Sequence, residues 1–167
     1  MTDELKDAYM KKLQRTLSVE DTIIKHLPVM IDAASNDKLR AGLEQHLEET
    51  RAQRDRLTEI LSAHGESSKE LDRPFVTLME DAGREVEAIS DPSVRDAVII
   101  AAAQTVEHIE IARYGTLIEW AKELDDTRSI PFLKDTLGEE EAADKKLSAV
   151  AEGGVFTTGI NQMAARR

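Results

Sequence analysis

Glu107 and Glu110 lie in the stretch AAAQTVEHIEIARYGTLIEWA, residues 101 to 121. On a helical period they share one stripe with Ala103, Tyr114, Leu117 and Ala121. The ends of that stripe suit a protein core, but its middle holds two carboxylates. The pattern recurs. Glu20 interrupts Leu13, Leu17, Ile24 and Leu27, while Glu140 and Asp144 interrupt Leu133, Leu137 and Leu147. A fourth stripe, Leu43, His46, Thr50, Gln53 and Leu57, turns polar at its centre. Glu49 sits on its flank, about 80° from the middle of the apolar face. An ionised carboxylate taken out of water without a partner costs several kcal/mol even after relaxation. Several together would exceed the roughly 5–15 kcal/mol that holds a domain folded. Divalent cations would neutralise them, and oxygen-rich ligation with an occasional imidazole suits Fe or Mn. The chain has no Cys, so thiolate metal sites are excluded.

The elements that must position these acids are four long helical segments. The first is expected over about 3–34, with Pro28 bending it locally. The second is expected over about 36–63, capped by Ser35-Asn36 and closed at His64-Gly65. The third opens at Asp91-Pro92 and runs to about 124; the fourth opens near Ser129 and runs to about 151. Short links make each consecutive pair an antiparallel hairpin, whereas about 25 residues separate the hairpins and carry Pro74 and one shorter amphipathic helix. Two hairpins with one end-to-end crossover give an all-α, ferritin-like antiparallel four-helix bundle. The expected organisation is a bundle over 1–151 and a tail over 152–167, with the glycine-containing tail an arm, mobile or packed on a partner subunit.

Glu20, Glu49, Glu107 and Glu140 each fall within about two residues of a helix midpoint, roughly 3 Å along the axis. They should meet in one layer, with Glu110 and Asp144 about a turn away. An internal echo supports two related hairpins: SVED at 18–21 matches TVEH at 105–108, and LEQHLEETRAQRDRL at 43–57 matches LKDTLGEEEAADKKL at 133–147. The echo pairs Glu49 with Glu139, while periodicity aims Glu140 inward; periodicity is preferred, because ligation needs the inward direction.

Composition narrows the partners. Twenty-two basic and 33 acidic residues leave a net charge of −11, which repels nucleic acid and anionic membranes and is compatible with binding cations. Aromatic residues are 4% and charged residues 33% of the chain, a balance suited to long helices. The N-terminus, MTDELKDAYMKKLQ, has no apolar signal-like core, and no run approaches a membrane span, so a cytoplasmic protein is expected.

Three motifs, HLEET-x2-Q-x2-RL (46–57), AAAQ-x-VEH-x-EIA-x-YG (101–115) and L-x-EE-x3-D-x2-L (137–147), resemble the YciF-like, ferritin-like bacterial stress proteins. The resemblance covers roughly residues 10 to 150. It implies a bundle related to ferritin and rubrerythrin, often dimeric, with a dinuclear site at Glu20, Glu49, Glu107, Glu110 and Glu140; it supplies no reaction. The chain departs from the ferritin-like pattern at residues 49–52, ETRA, where Glu-x-x-His is absent. His46 lies one turn before Glu49 and Gln53 one turn after.

The candidate ligands are therefore Glu20, His46, Glu49, Glu107, Glu110, Glu140 and Asp144, holding two iron ions per chain, with Mn or another divalent metal as the substitute. Glu49 and Glu140 are expected to bridge, Glu20 and Glu107 to be terminal, and Glu110 to shift between redox states. Each has a plainer alternative. Glu107 and Glu110 could pair with Arg113, His46 could be a satisfied core histidine, and Asp144 could bond to a ligand carboxylate. Tyr114 is read as packing or hydrogen bonding to a ligand rather than as a redox group. His108 projects outward, and His26 and His64 are structural or solvent-facing. The expected function is a stress-associated metal protein, with oxidation of the metal by O2 or peroxide as the reaction. The rival is a structural or interaction bundle, with a homodimer expected, whose acids pair with Arg and Lys; a storage cage is weaker still. No catalytic residue is assigned.

Overall fold

The computed structural model describes residues 2–154 and 157–166. Helix α1 spans Thr2–Ala33, α2 Asp37–Ala63, α3 Arg73–Ala88, α4 Pro92–Glu123 and α5 Ile130–Glu152. The caps read from sequence perform as caps. Asn36 accepts from the amides of Lys38 and Leu39, and Asp91 from those of Ser93 and Val94. These bonds satisfy amides that a helix start leaves orphaned. Asp72 caps α3 through the Phe75 amide, with Pro74 in its first turn. Helix α1 runs through Pro28 without ending.

Cross-helix contacts fix the topology. Near one end of the bundle, Asp96 at the start of α4 accepts from the backbone and hydroxyl of Ser35, just after α1. At the other end, Tyr9 of α1 donates to Asp126, just beyond α4. Helices α1 and α4 are therefore antiparallel neighbours. His64, after α2, also meets Asp126, at 2.9 Å, so residues 65–91 must return along the length of the bundle. This is the crossover expected of a ferritin-like four-helix bundle, and α3 is the helix it carries. In cross-section each long helix packs on two others: α1 on α2 and α4, and α5 on α4 and α2.

The tail differs from the arm read in sequence. Residues 153–154 pair antiparallel with 157–158, and a short helix α6, Ile160–Ala164, packs on α4 and α5 with Ile160 buried. The reversal depends on Gly153, at φ +75°, where a Cβ would lie 2.3 Å from the Gly159 nitrogen. Residues 155, 156 and 167 of that tail lie outside the described residues.

Candidate metal centre

The buried apolar side chains form two clusters rather than one. The first joins Tyr9, Leu13, Leu57, Leu61, Tyr114, Leu117 and their neighbours. The second joins Ile23, Leu27, Leu43, Ile99, Val106, Leu147 and theirs. Between them every long helix turns polar, and that layer holds four fully or almost fully buried carboxylates: Glu20, Glu107, Glu110 and Glu140.

Ligand atoms of His46, Glu107, Glu110 and Glu140 all lie within 4.8 Å of one another. The His46 Nε2 is 3.3 Å from Glu107 Oε1. Glu20 adjoins this group, repelled by the Glu140 charge and itself raising Glu110, and Tyr114 donates a hydrogen bond to it. Gln53, wholly buried on α2, donates to Glu140 and to Glu139.

The electrostatics are those of acids crowded indoors. Burial, with the Glu140 charge added, pushes the Glu20 carboxyl up to about 8. Burial pushes Glu107 to about 11, with Glu140, Asp144 and Glu20 contributing. Glu110 is likewise raised, by burial first and then by the charges of Glu20, Glu140 and Glu107. Among the described residues, one oxygen each of Glu20, Glu107 and Glu140 and both of Glu110 are buried without a hydrogen-bond partner. Both ring nitrogens of His46 are in the same state. Orphaned buried polar atoms cost about 1–3 kcal/mol each, more when charged. Such a donor set, all carboxylate oxygen and one imidazole, fits a hard or borderline divalent cation.

The remaining candidates stand outside the cluster. Glu49 is half-buried, its Oε2 3.9 Å from His46 Nδ1, and it accepts from Gln45 at 2.7 Å. The neighbouring imidazole, helped by Gln45 and Lys146, holds its carboxyl below the usual range. Asp144 accepts from Gln104 at 3.0 Å, with the exposed His108 ring 3.6 Å away. Glu139 is gripped by Arg56 through two bonds of 2.7 Å. The direct ring of ligand atoms thus draws one residue from α2, two from α4 and one from α5, while α1 contributes Glu20 beside it.

That asymmetry follows from the internal echo. Positions 49 and 139 correspond, and both side chains point to the flank. Positions 50 and 140 correspond and both are buried, but one is Thr50 and the other Glu140. Helix α2 therefore has no acid at its inward midpoint and offers His46 instead. The Arg56 clamp and the part-buried Arg113–Asp72 ion pair, at 2.5 Å, which ties α4 to the cap of α3, were not among the expectations from sequence. Neither pair has a local signal, because each joins residues more than 40 apart in the chain.

A family model described as a domain of unknown function, DUF892, matches residues 4–164. The chain belongs to the DUF892 family. Protein YciF of Escherichia coli strain K12 is 37% identical over 162 residues, covering 95% of this chain and 96% of that one. The crystal structure of YciF, there described as a stress protein, superposes with a TM-score of 0.77 at 38% identity, over 86% of this chain and 92% of that one. YcfI of Rhodopseudomonas palustris, provisionally described as a structural protein, superposes with a TM-score of 0.85 at 42% identity, over 88% of this chain and 94% of that chain. Like YciF, this DUF892 protein is helical, and none of its described helices is long and apolar enough to cross a membrane.

Two cavities approach the cluster. One, of about 290 Å3, is bounded by α1, α3 and α4, and the other, of about 460 Å3, by α2 and α5; both end on Leu43, His46 and Glu107.

Proposed function

We propose that this DUF892 protein is a stress-associated metal protein that holds two iron ions in the carboxylate layer. The observation that carries the reading is the set of buried oxygens on Glu20, Glu107, Glu110 and Glu140 that receive no hydrogen bond, gathered against the His46 imidazole. When bound, iron supplies redox chemistry towards O2 or peroxide. Glu107, Glu110, Glu140 and His46 are the direct ligands and Glu20 completes the set on α1. Tyr114 and Gln53 fix the orientation of Glu20 and Glu140 by donating to them. Glu49, charged and lining the larger cavity, passes cations inward in this reading and does not bridge. Mn is the alternative metal, and the protein is taken to work as a cytoplasmic homodimer.

A structural bundle is the competing reading, and one observation favours it: the raised Glu20, Glu107 and Glu110 groups can be neutralised by protons instead of cations. Elemental analysis and anaerobic Fe(II) titration separate the two. Two Fe(II) per chain in the wild type and a clear loss in Glu110→Gln are expected. A stoichiometry near zero at pH 7 leaves the structural bundle.

A further inference from the structure

The smaller cavity differs from a surface dimple in what it ends on. Its walls are apolar: Leu27 from α1, Leu78 and Ala82 from α3, and Val98 and Ala102 from α4. Its inner end is formed by His46 and Glu107, both more than nine-tenths buried, with the imidazole nitrogens and Glu107 Oε2 lacking hydrogen-bond partners. Two exposed acids, Asp81 and Glu85, line its outer part. An engineered apolar cavity of roughly 150 Å3 admits benzene, so about 290 Å3 has room for a ring-sized body with a short polar extension.

We propose that this cavity is a binding site for one small neutral organic molecule with an apolar body and a terminal hydroxyl or hydroperoxyl group. The body lies between α3 and α4, and the oxygen end faces His46 and Glu107. The chemistry selects each feature. Apolar walls reward an apolar body at about 25 cal/mol per Å2 buried. An anionic head would meet the exposed Asp81 and Glu85 on the way in. A cationic head would pass the rim but would be stripped of water between Leu78, Val98 and Ala102, an uncompensated cost along the walls. A hydroxyl both donates and accepts, so it matches the Glu107 carboxyl group beside the His46 imidazole, whichever of them carries the proton. The oxygen end then abuts the proposed metal centre, and in that respect the inference rests on the metal reading and gives its substrate class: organic alcohols or hydroperoxides rather than hydrogen peroxide alone. The seat of the apolar body does not depend on metal.

The test uses the full chain, metal-free and Fe(II)-loaded, with benzyl alcohol, benzoate and benzylamine as probes of one shape and three charges. Methyl NMR on Leu78, Ala82, Val98 and Ala102 reports occupancy without any turnover. Benzyl alcohol should shift these methyls saturably in both forms, with benzoate and benzylamine at least about tenfold weaker. Ala102→Phe, and separately Ala82→Phe, should abolish the shifts while Fe(II) stoichiometry and melting temperature stay near wild type. Benzoate binding as well as the alcohol would overturn the proposal. So would alcohol shifts that survive both Phe variants, or cavity methyls that respond to protein concentration instead of alcohol, which would make the face an interface between copies. Because Fe(II) uptake is measured separately, failure of the metal reading leaves zero iron with the methyl shifts intact, whereas failure of this inference leaves iron uptake without them.

Discussion

The two apolar halves of the bundle, one on each side of the acid layer, are built differently. The half around Tyr9, Leu13, Leu117 and Leu133 is closed by wholly buried large side chains on all four long helices. The half around Leu27, Leu43, Ile99 and Leu147 is covered partly by α3 and α6, and both cavities that reach His46 and Glu107 open through it. Dense packing on one side holds the acids in register. Small residues on the other, such as Ala82, Ala102 and Gly42, keep a way in. The lesson is that stability and access to the centre are assigned to opposite ends of the same helices.

The sharpest way to break this contrast is to truncate matched leucines. Leu117→Ala in the closed half should cost about 3–5 kcal/mol, since the tightly packed site cannot collapse. Leu78→Ala, on the wall of an existing cavity, should cost roughly 1 kcal/mol, because less surface is lost from water and no new void is sealed. Urea denaturation measures both, and equal losses would mean that the halves do not differ.

The next effect belongs to the layer between them. Divalent metal at a hundredfold excess over its dissociation constant should stabilise the wild type by about 2.7 kcal/mol. Glu107→Gln should lose most of that increment while the metal-free variant melts no lower than metal-free wild type at pH 8. Differential scanning calorimetry with and without Fe(II) or Mn(II) reads both quantities. A lower metal-free melting temperature would show that the carboxylate itself holds the halves together.

A pH series sharpens the same point with a smaller signal. Glu20 and Glu107 have folded-state values raised to about 8 and about 11 from an ordinary 4.5. The folded state therefore binds more protons than the unfolded one between those limits. Stability from these groups is complete below about pH 4.5 and falls as pH rises, through about 8 for Glu20 and on towards 11 for Glu107. Metal-free protein should melt several degrees lower at pH 8.5 than at pH 6. Bound metal should flatten or reverse the slope, because ligation favours the deprotonated acids. A metal-free stability that climbs over this range would contradict the buried layer.

The smallest expected change is at Arg56. Arg56→Ala removes the two-bond grip on Glu139, a half-buried pair worth about 1 kcal/mol or less. Metal uptake should persist, since Glu140 and not Glu139 faces the layer. Loss of metal in this variant, measured by titration, would give Glu139 a part in the centre.

Much of this architecture was legible beforehand. Apolar periodicity located the long helices, and Asn36 and Asp91 preceded helix starts for the reason that short polar side chains satisfy orphaned amides. Buried acids were legible too, because Glu20, Glu107, Glu110 and Glu140 interrupt otherwise apolar stripes. The flank positions were harder. Glu49 and Glu139 lie near the edge of a stripe, where a few degrees of helix rotation decide between solvent and interior.

By itself the sequence determined which residues must be indoors and at what height along each helix, because both follow from a fixed rise and turn per residue. Only the tertiary structure decided which neighbours they meet. It placed Glu139 against Arg56 and Glu49 on the outer side of His46, folded the tail onto α4 and α5, and laid α3 so that it walls a cavity instead of filling it. Those outcomes depend on the rotation and spacing of helices against one another, which many distant contacts set together and no local spacing encodes.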